Sequence, residues 1–213
     1  DRVDRNRRAL SAMILAEALT MGGGRQGFAG LVEELEDLLA RDREHHWPRV
    51  KGSTECAIRD QVEAPFLALA TMVNGLQPSH KAFLPQKARK LMLDCNFDAC
   101  AQVVGCALEP ANPKLMRIEP DLLGEFFVLS TLAPKNPFAE EPNHAWLPET
   151  AWRIDDGQAM ADFVGRAGQN FPAHPSLSAL EIVVPGVTAS RKARGIRMIA
   201  GHKGDEQSAI AAV

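Results

Sequence analysis

The chain has 213 residues and a formal net charge of −3; 46% of its residues are hydrophobic and 24% are charged. Such a composition can form a buried core and differs from that of a disordered chain. The slight acidic excess does not favour a nucleic-acid partner, because proteins of that kind usually carry a basic surface. No apolar run of about 18 residues occurs, so we expect neither a membrane span nor a membrane partner.

The cysteines and the first residues bear on the compartment. Cys56, Cys95, Cys100 and Cys106 are sparse and lie on apolar segments, which is typical of reduced cysteines. Residues 1–5 lack the apolar core of a secretory signal, and we therefore expect a cytoplasmic protein. A structural zinc site would need closer cysteine pairs and a second ligand pair, so the sequence predicts no metal site.

Residues 1–50 are predicted to form a small helical domain. Its first helix covers 7–21 and ends at three glycines, 22–24. Its second helix covers 28–46, with apolar residues three and four apart and acidic residues on the opposite face. The glycine stretch does not match a phosphate-binding loop, because a helix precedes it and no Lys-Ser/Thr pair follows.

Residues 53–132 are predicted to form a second unit that begins with an apolar helix. Ser53 or Thr54 would cap this helix, and Asn74-Gly75, which tolerates a left-handed backbone, would end it. Pro65 lies inside the segment and predicts either a kink or two helices that meet there.

The rest of this unit alternates short helices with one short strand. Helices are expected at 84–93 and 97–107, and the alternation at 115–118 predicts a strand. A strongly apolar helix follows at 121–132, where Asp121 is placed to accept hydrogen bonds from the first free N–H groups. This order of elements is that of a winged-helix-like domain with a short β wing.

The last third of the chain is predicted to contain one helix and two irregular stretches. Four prolines mark 133–150 as a linker, and 151–182 is a helical-repeat-like segment with a helix over about 156–169. The glycine-rich, basic tail, 183–213, has no assigned structure and is expected to be disordered in part. The fold class is therefore mainly α: a helical bundle, a winged-helix-like domain with a short β wing, and a helical-repeat-like segment.

The polar residues suggest no catalytic group. His45 and His46 lie at the end of a helix, where they complement the negative end of its dipole. Acidic pairs such as Glu33-Glu34 lie on polar helix faces or in loops and are expected to be solvated. An enzyme whose site forms from residues distant in sequence is the weakest hypothesis.

A winged helix can also serve a DNA-binding transcriptional regulator. In such a protein the 97–107 helix would enter the major groove, and Lys114 and Arg117 would lie on the wing. The 97–107 helix contains Asp98 and Gln102 but no Lys or Arg, which favours packing against protein over contact with phosphates. DNA binding is therefore the alternative hypothesis.

Five segments, in their order along the chain, carry a family resemblance: Arg8 to Leu19, 28–47, Leu67 to Leu76, Glu119 to Glu125, and 151–177. Together they resemble the small helical and winged-helix region of a bacterial STAND-type signalling NTPase, a class related to NB-ARC proteins. In that class these regions follow a P-loop ATPase domain and precede helical repeats. The family's proline falls at Ala9 and its phosphate-reading histidine at Pro120, while Asp121 matches the family's aspartate.

The resemblance implies a non-catalytic regulatory module that couples nucleotide state to a rearrangement between domains. ATP or ADP would bind the parent protein, and no cofactor is expected in this chain because it has no P-loop. The expected partners are the ATPase domain of the same protein and a second copy in a homo-oligomer. The residues expected to contact the ATPase domain are Arg8, Leu10, Asp121, Leu122, Glu125 and Phe126.

Overall fold

A computed structural model of the chain describes residues 25–105, 108, 113–119, 121–133 and 144–180. This part of the chain is mainly α-helical, as predicted, and contains two isolated β-bridges but no strand. The helices are α1 (Arg25–His45), α2 (Glu63–Met72), α3 (Gln86–Asp94), α4 (Phe97–Val103), α5 (Asp121–Leu132), α6 (Trp146–Arg153) and α7 (Gln158–Asn170). Short 3-10 helices lie at Pro78–Phe83, Ile154–Gly157 and Pro175–Leu180.

Helix α2 forms the centre of the fold, because all ten of its residues are buried. It packs against α4, α5, α6 and α7. A helix that is apolar on every side is typical of the middle of a core. The predicted start at Ser53 or Thr54 is wrong, since α2 begins at Glu63. Pro65 therefore lies in the first turn, where a missing N–H costs nothing, and it produces no kink.

The end of α2 agrees with the sequence analysis. Asn74 and Gly75 both have positive φ values, 55° and 110°, and Gly75 N–H donates to the main-chain oxygen of Ala70. The chain then forms an antiparallel bridge between Leu76 and Leu115. The strand predicted at 115–118 consists of this single bridged residue, and the predicted helix 97–107 ends earlier, at Val103.

Helices α2 and α5 approach each other closely at a glycine. A β-carbon on Gly124 would lie 2.7 Å from the main-chain oxygen of Ile118 and 3.0 Å from the Cγ2 of Thr71. Thr71 also accepts a hydrogen bond from Ile118 N–H. The helix α5 has the predicted limits, and this contact fixes its first turns against α2 and the segment that precedes it.

Trp47, which follows the C-terminal end of α1, packs against α5. The Trp47 ring meets Phe127 edge to face at 6.0 Å between centroids, and its Nε1 donates to Asp42. At the other end of the described chain, Trp152 of α6 donates from Nε1 to the main-chain oxygen of Leu180. These two buried tryptophans join the outer elements to the central pair of helices.

Helix α6 begins within the stretch predicted as a linker, and a kink separates it from α7. Asp155, Asp156 and Gly157 have positive φ values, and a β-carbon on Gly157 would lie 2.6 Å from the Trp152 ring. The helix predicted over about 156–169 therefore starts at Gln158. A single hydrophobic core cluster contains residues from Leu35 to Leu180. None of the described helices has the length and apolarity needed to cross a bilayer.

Candidate functional site

Four of the six residues expected to contact an ATPase domain lie on α5. Asp121 and Leu122 are partly buried, whereas Glu125 and Phe126 are 1% exposed. Phe126 belongs to the core and packs on Phe171, with 5.8 Å between ring centroids. Arg8 and Leu10, together with the predicted helix 7–21, lie outside the described residues.

The two acidic residues of α5 belong to an ionic network. Asp121 lies 3.1 Å from Nη1 of Arg117 and 3.8 Å from Nε of Arg166. Glu125 accepts hydrogen bonds from Nε of Arg166 at 3.0 Å and from Nδ2 of Asn170 at 2.7 Å. The network connects α5 to α7 and to the segment before α5, so its arginines are held in place by carboxylates.

Burial raises the pKa of the Glu125 carboxyl above its ordinary value. The hydrogen bonds from Asn170 and Arg166 act in the opposite direction and offset part of this shift. A raised pKa means that the folded state favours the proton on Glu125 more than the unfolded state does.

Beside this network lies a polar cleft of about 420 Å³ between the end of α2, the segment before α5, and the start of α7. Its charged side chains come from elements far apart in sequence: Lys114, Arg117, Asp155, Asp162 and Arg166. The cleft is also lined by Asn74, Gly75, Gln77, His80 and Gln158, along with residues 71–73 and Ala159. Most of the residues that line this cleft are polar or charged.

His80 is the most buried titratable group of the cleft, with 7% of its surface exposed. Its Nδ1 accepts a hydrogen bond from Gln77 N–H at 3.3 Å, which leaves Nε2 as the edge that carries the proton. Burial lowers the pKa of His80; nearby Asp155 raises it and Lys114 lowers it further. The lowered pKa favours the neutral form of the ring, which lies near the Asp155 carboxylate and the Lys114 ammonium group.

Backbone geometry positions two walls of the cleft. The left-handed residues Asn74 and Gly75 turn the chain at the end of α2, and the Lys114 side chain crosses directly over Gly75. On the opposite wall, the positive φ values of Asp155 and Asp156 turn the chain from α6 into α7. Residues with αL backbone other than glycine are uncommon, and both turns lie at this cleft.

A second concavity, of about 330 Å³, separates α1 from α5. Phe126 and Phe127 line it, with Leu39 and Ala40 of α1 on the opposite side. Charged residues line it as well: Glu36, Arg43 and Asp60. We call this surface the α1–α5 groove.

The remaining candidates of the sequence analysis lie apart from both concavities. The thiol of Cys100 is buried and contacts that of Cys95, and this contact together with burial raises the pKa of Cys100. No group of three or more metal-ligating side chains occurs within the described ranges. On α4, the exposed residues Asp98 and Gln102 present no positive charge.

Comparisons with known proteins return no relative. No family model matches the chain, and no curated protein or solved structure is similar to it. Function must therefore be argued from the residues and their geometry.

No sequence pattern indicates the cleft as a site. Lys114 and Arg117 are predicted only as wing residues of the DNA-binding alternative, and nothing in the sequence connects them with His80 or with α7. Turns with positive φ next to charged residues could indicate the cleft, but only if the turns themselves can be predicted. The sequence predicts the turn at Asn74-Gly75 but not the one at Asp155-Asp156.

Proposed function

We propose that this chain is a non-catalytic regulatory and interaction module of a STAND-type signalling NTPase. It would hold or release a P-loop ATPase domain according to whether that domain contains ATP or ADP. The proposal rests on the family resemblance and on one structural observation, the antiparallel bridge between Leu76 and Leu115.

The bridge supports the proposal because of where it occurs in the order of elements. Leu76 follows α2 directly, and Leu115 returns after α3 and α4 to pair with it. The winged-helix-like order expected from the sequence is three helices, one short strand and a further helix. The order α2, α3, α4, the bridged residue Leu115 and α5 is compatible with it. Helix α5, which begins within the family-like segment Glu119 to Glu125, then packs on α2.

The α1–α5 groove is the surface that we assign to the ATPase domain. In the family that domain precedes the small helical domain, and here α1, the first helix that the structure describes, forms one wall of the groove. Phe126, one of the expected contact residues, lies at this groove. Apolar residues of α1 and α5 line it together with Glu36, Arg43 and Asp60, and such a mixture of apolar and charged residues is typical of a protein–protein interface.

The test uses the complete 213-residue chain and the protein region encoded upstream of Asp1. We expect that region to contain a P-loop and to bind the chain with affinities that differ by roughly tenfold or more between ADP and a non-hydrolysable ATP analogue. Calorimetry measures both affinities. An upstream region without a P-loop, or equal affinities in the two nucleotides, would refute the proposal.

A matched pair of variants locates the interface. Leu39→Glu places a charge in the groove, and we expect it to weaken binding by roughly tenfold or more. Leu93→Glu places the same charge on α3, where the side chain is already 78% exposed. This control should bind as the unmodified chain does; equal weakening by both variants would exclude the groove.

A further inference from the structure

We propose that the polar cleft binds a small zwitterion of the α-amino-acid class, with its carboxylate on Lys114 and His80 and its ammonium group on Asp162. This assignment is independent of the proposed regulatory function. It rests on how the charged side chains of the cleft are paired. Arg117, Arg166 and Asp155 have interaction partners, whereas Lys114 and Asp162 form no ion pair with any described residue.

The two arginines of the cleft are occupied. Arg117 pairs with Asp121 and Glu119, and Arg166 pairs with Glu125 and Asp121. They therefore set the shape of one wall and leave little capacity for a second anion. An anionic ligand such as a free phosphate would have to compete with these carboxylates.

Lys114 is different, because it forms no ion pair with any residue that the structure describes. Its methylene groups lie over Gly75, at the end of α2, and its side chain is only partly exposed. The Nε2–H of His80 lines the same cleft, and no acceptor for it occurs among the described residues. An ammonium group and an N–H donor in one cleft can together bind a carboxylate.

Asp162 supplies the opposite charge. It is exposed on α7, and the only hydrogen bond that its side chain accepts from a described residue is a long one, 3.5 Å, from the amide of Gln158. Lys114 and Asp162 line the same cleft but do not pair with each other, since no bridge within 4 Å joins them in the described structure. A ligand with both charges satisfies both side chains at once, whereas a ligand with one charge satisfies only one.

The size of the cleft agrees with this class of ligand. A volume of about 420 Å³ falls at the lower end of the range of ligand pockets, roughly 300–1,000 Å³. Free amino acids and dipeptides fit such a space. The residues Gln77, Gln158 and Asn74 would provide further polar contacts for a side chain.

The experiment measures the melting temperature of the full chain with each of the twenty L-amino acids, followed by calorimetry for any that raises it. Each amino acid is paired with its N-acetyl amide, which has the same side chain and neither charge. We expect one or a few free amino acids to stabilise the fold, with no effect from their blocked forms.

Variants then locate the site. Lys114→Met and Asp162→Asn should each weaken binding by roughly tenfold or more, because each removes one charged contact. Lys90→Met and Asp98→Asn, which change exposed charges on α3 and α4, should leave the affinity unchanged. The absence of binding by every free amino acid, equal binding of blocked forms, or full affinity in Lys114→Met and Asp162→Asn would overturn the proposal.

Discussion

Arg59 and Glu63 form a two-pronged ion pair at the first turn of α2, with Nη2 2.6 Å from Oε1 and Nε 2.9 Å from Oε2. Glu63 is fully buried and also accepts hydrogen bonds from the main-chain N–H groups of Arg59 and Asn96. Arg59 donates in turn to the main-chain oxygen of Asp94. One carboxylate thus connects the start of α2 to the junction between α3 and α4.

Arg59→Met should destabilise the fold by about 3 kcal/mol, because it leaves the Glu63 carboxylate buried without its cation. Urea denaturation followed by circular dichroism measures the change. The control is Arg153→Met, which removes a 2.6 Å pair with Glu149 in which the two side chains are 43% and 48% exposed. That variant should cost less than about 1 kcal/mol. Equal losses in the two variants would contradict the role given to Glu63.

The two buried glutamates should give opposite pH dependences. Burial alone would raise the pKa of Glu63, but the hydrogen bonds of Arg59 and Asn96 lower it below its ordinary value. Its contribution to stability is therefore present above the unfolded pKa of about 4.3 and is lost as the pH falls below that value. The free energy of unfolding of the unmodified chain, compared with that of Glu63→Gln, should fall as the pH is lowered from neutral to about 3.

Glu125 behaves in the reverse manner, because its pKa is raised by burial. The folded state then binds its proton more tightly, so the contribution of Glu125 is present at low pH and is lost as the pH rises above about 4.3. The free energy of unfolding of the unmodified chain, compared with that of Glu125→Gln, should therefore fall as the pH rises from about 4 to about 7. A difference that is constant with pH would show that burial does not control this carboxyl.

Gly124→Ala should destabilise the fold by about 1–3 kcal/mol, since the new β-carbon would meet a main-chain oxygen that cannot move without shifting the segment before α5. Chemical denaturation measures the loss. Ser130→Ala changes an exposed residue on the same helix and should alter stability by less than about 0.5 kcal/mol. Gly124→Ala with unchanged stability would mean that α5 does not approach α2 at the described distance.

Cys100 should resist alkylation in the folded protein, because its thiol is buried and its pKa is raised by the Cys95 contact and by burial. Mass spectrometry after treatment with iodoacetamide at neutral pH, with and without urea, measures the labelled fraction at each cysteine. Cys56, which is only partly buried, is the internal reference. Labelling of Cys100 at the rate of Cys56 without urea would contradict this environment.

Duplex DNA should show no salt-dependent binding to the chain. The exposed residues of α4 are Asp98 and Gln102, and Arg117 is already paired with carboxylates. An electrophoretic shift that weakens steeply with salt, and that is abolished by charge reversal at Lys114, would instead favour the DNA-binding alternative.

The sequence by itself determined the mainly helical fold class, the limits of helix 121–132 and the turn that ends α2. Helix 121–132 and the turn at Asn74-Gly75 follow from local signals, a continuous apolar run and a pair that tolerates positive φ. The start of α2 was misplaced, because Ser53 and Thr54 are good capping residues locally, while the Arg59–Glu63 pair that organises the true start depends on contacts with Asp94 and Asn96.

Only the tertiary structure decided the site. Lys114, His80 and Asp162 are ordinary residues on three separate segments, and no spacing in the sequence connects them. They converge because the Leu76–Leu115 bridge returns the chain to the end of α2 and because α7 packs on α5. The pairing of charges likewise depends on distances in space. The packed helices therefore decide which cations are paired with carboxylates and which have no partner among the described residues.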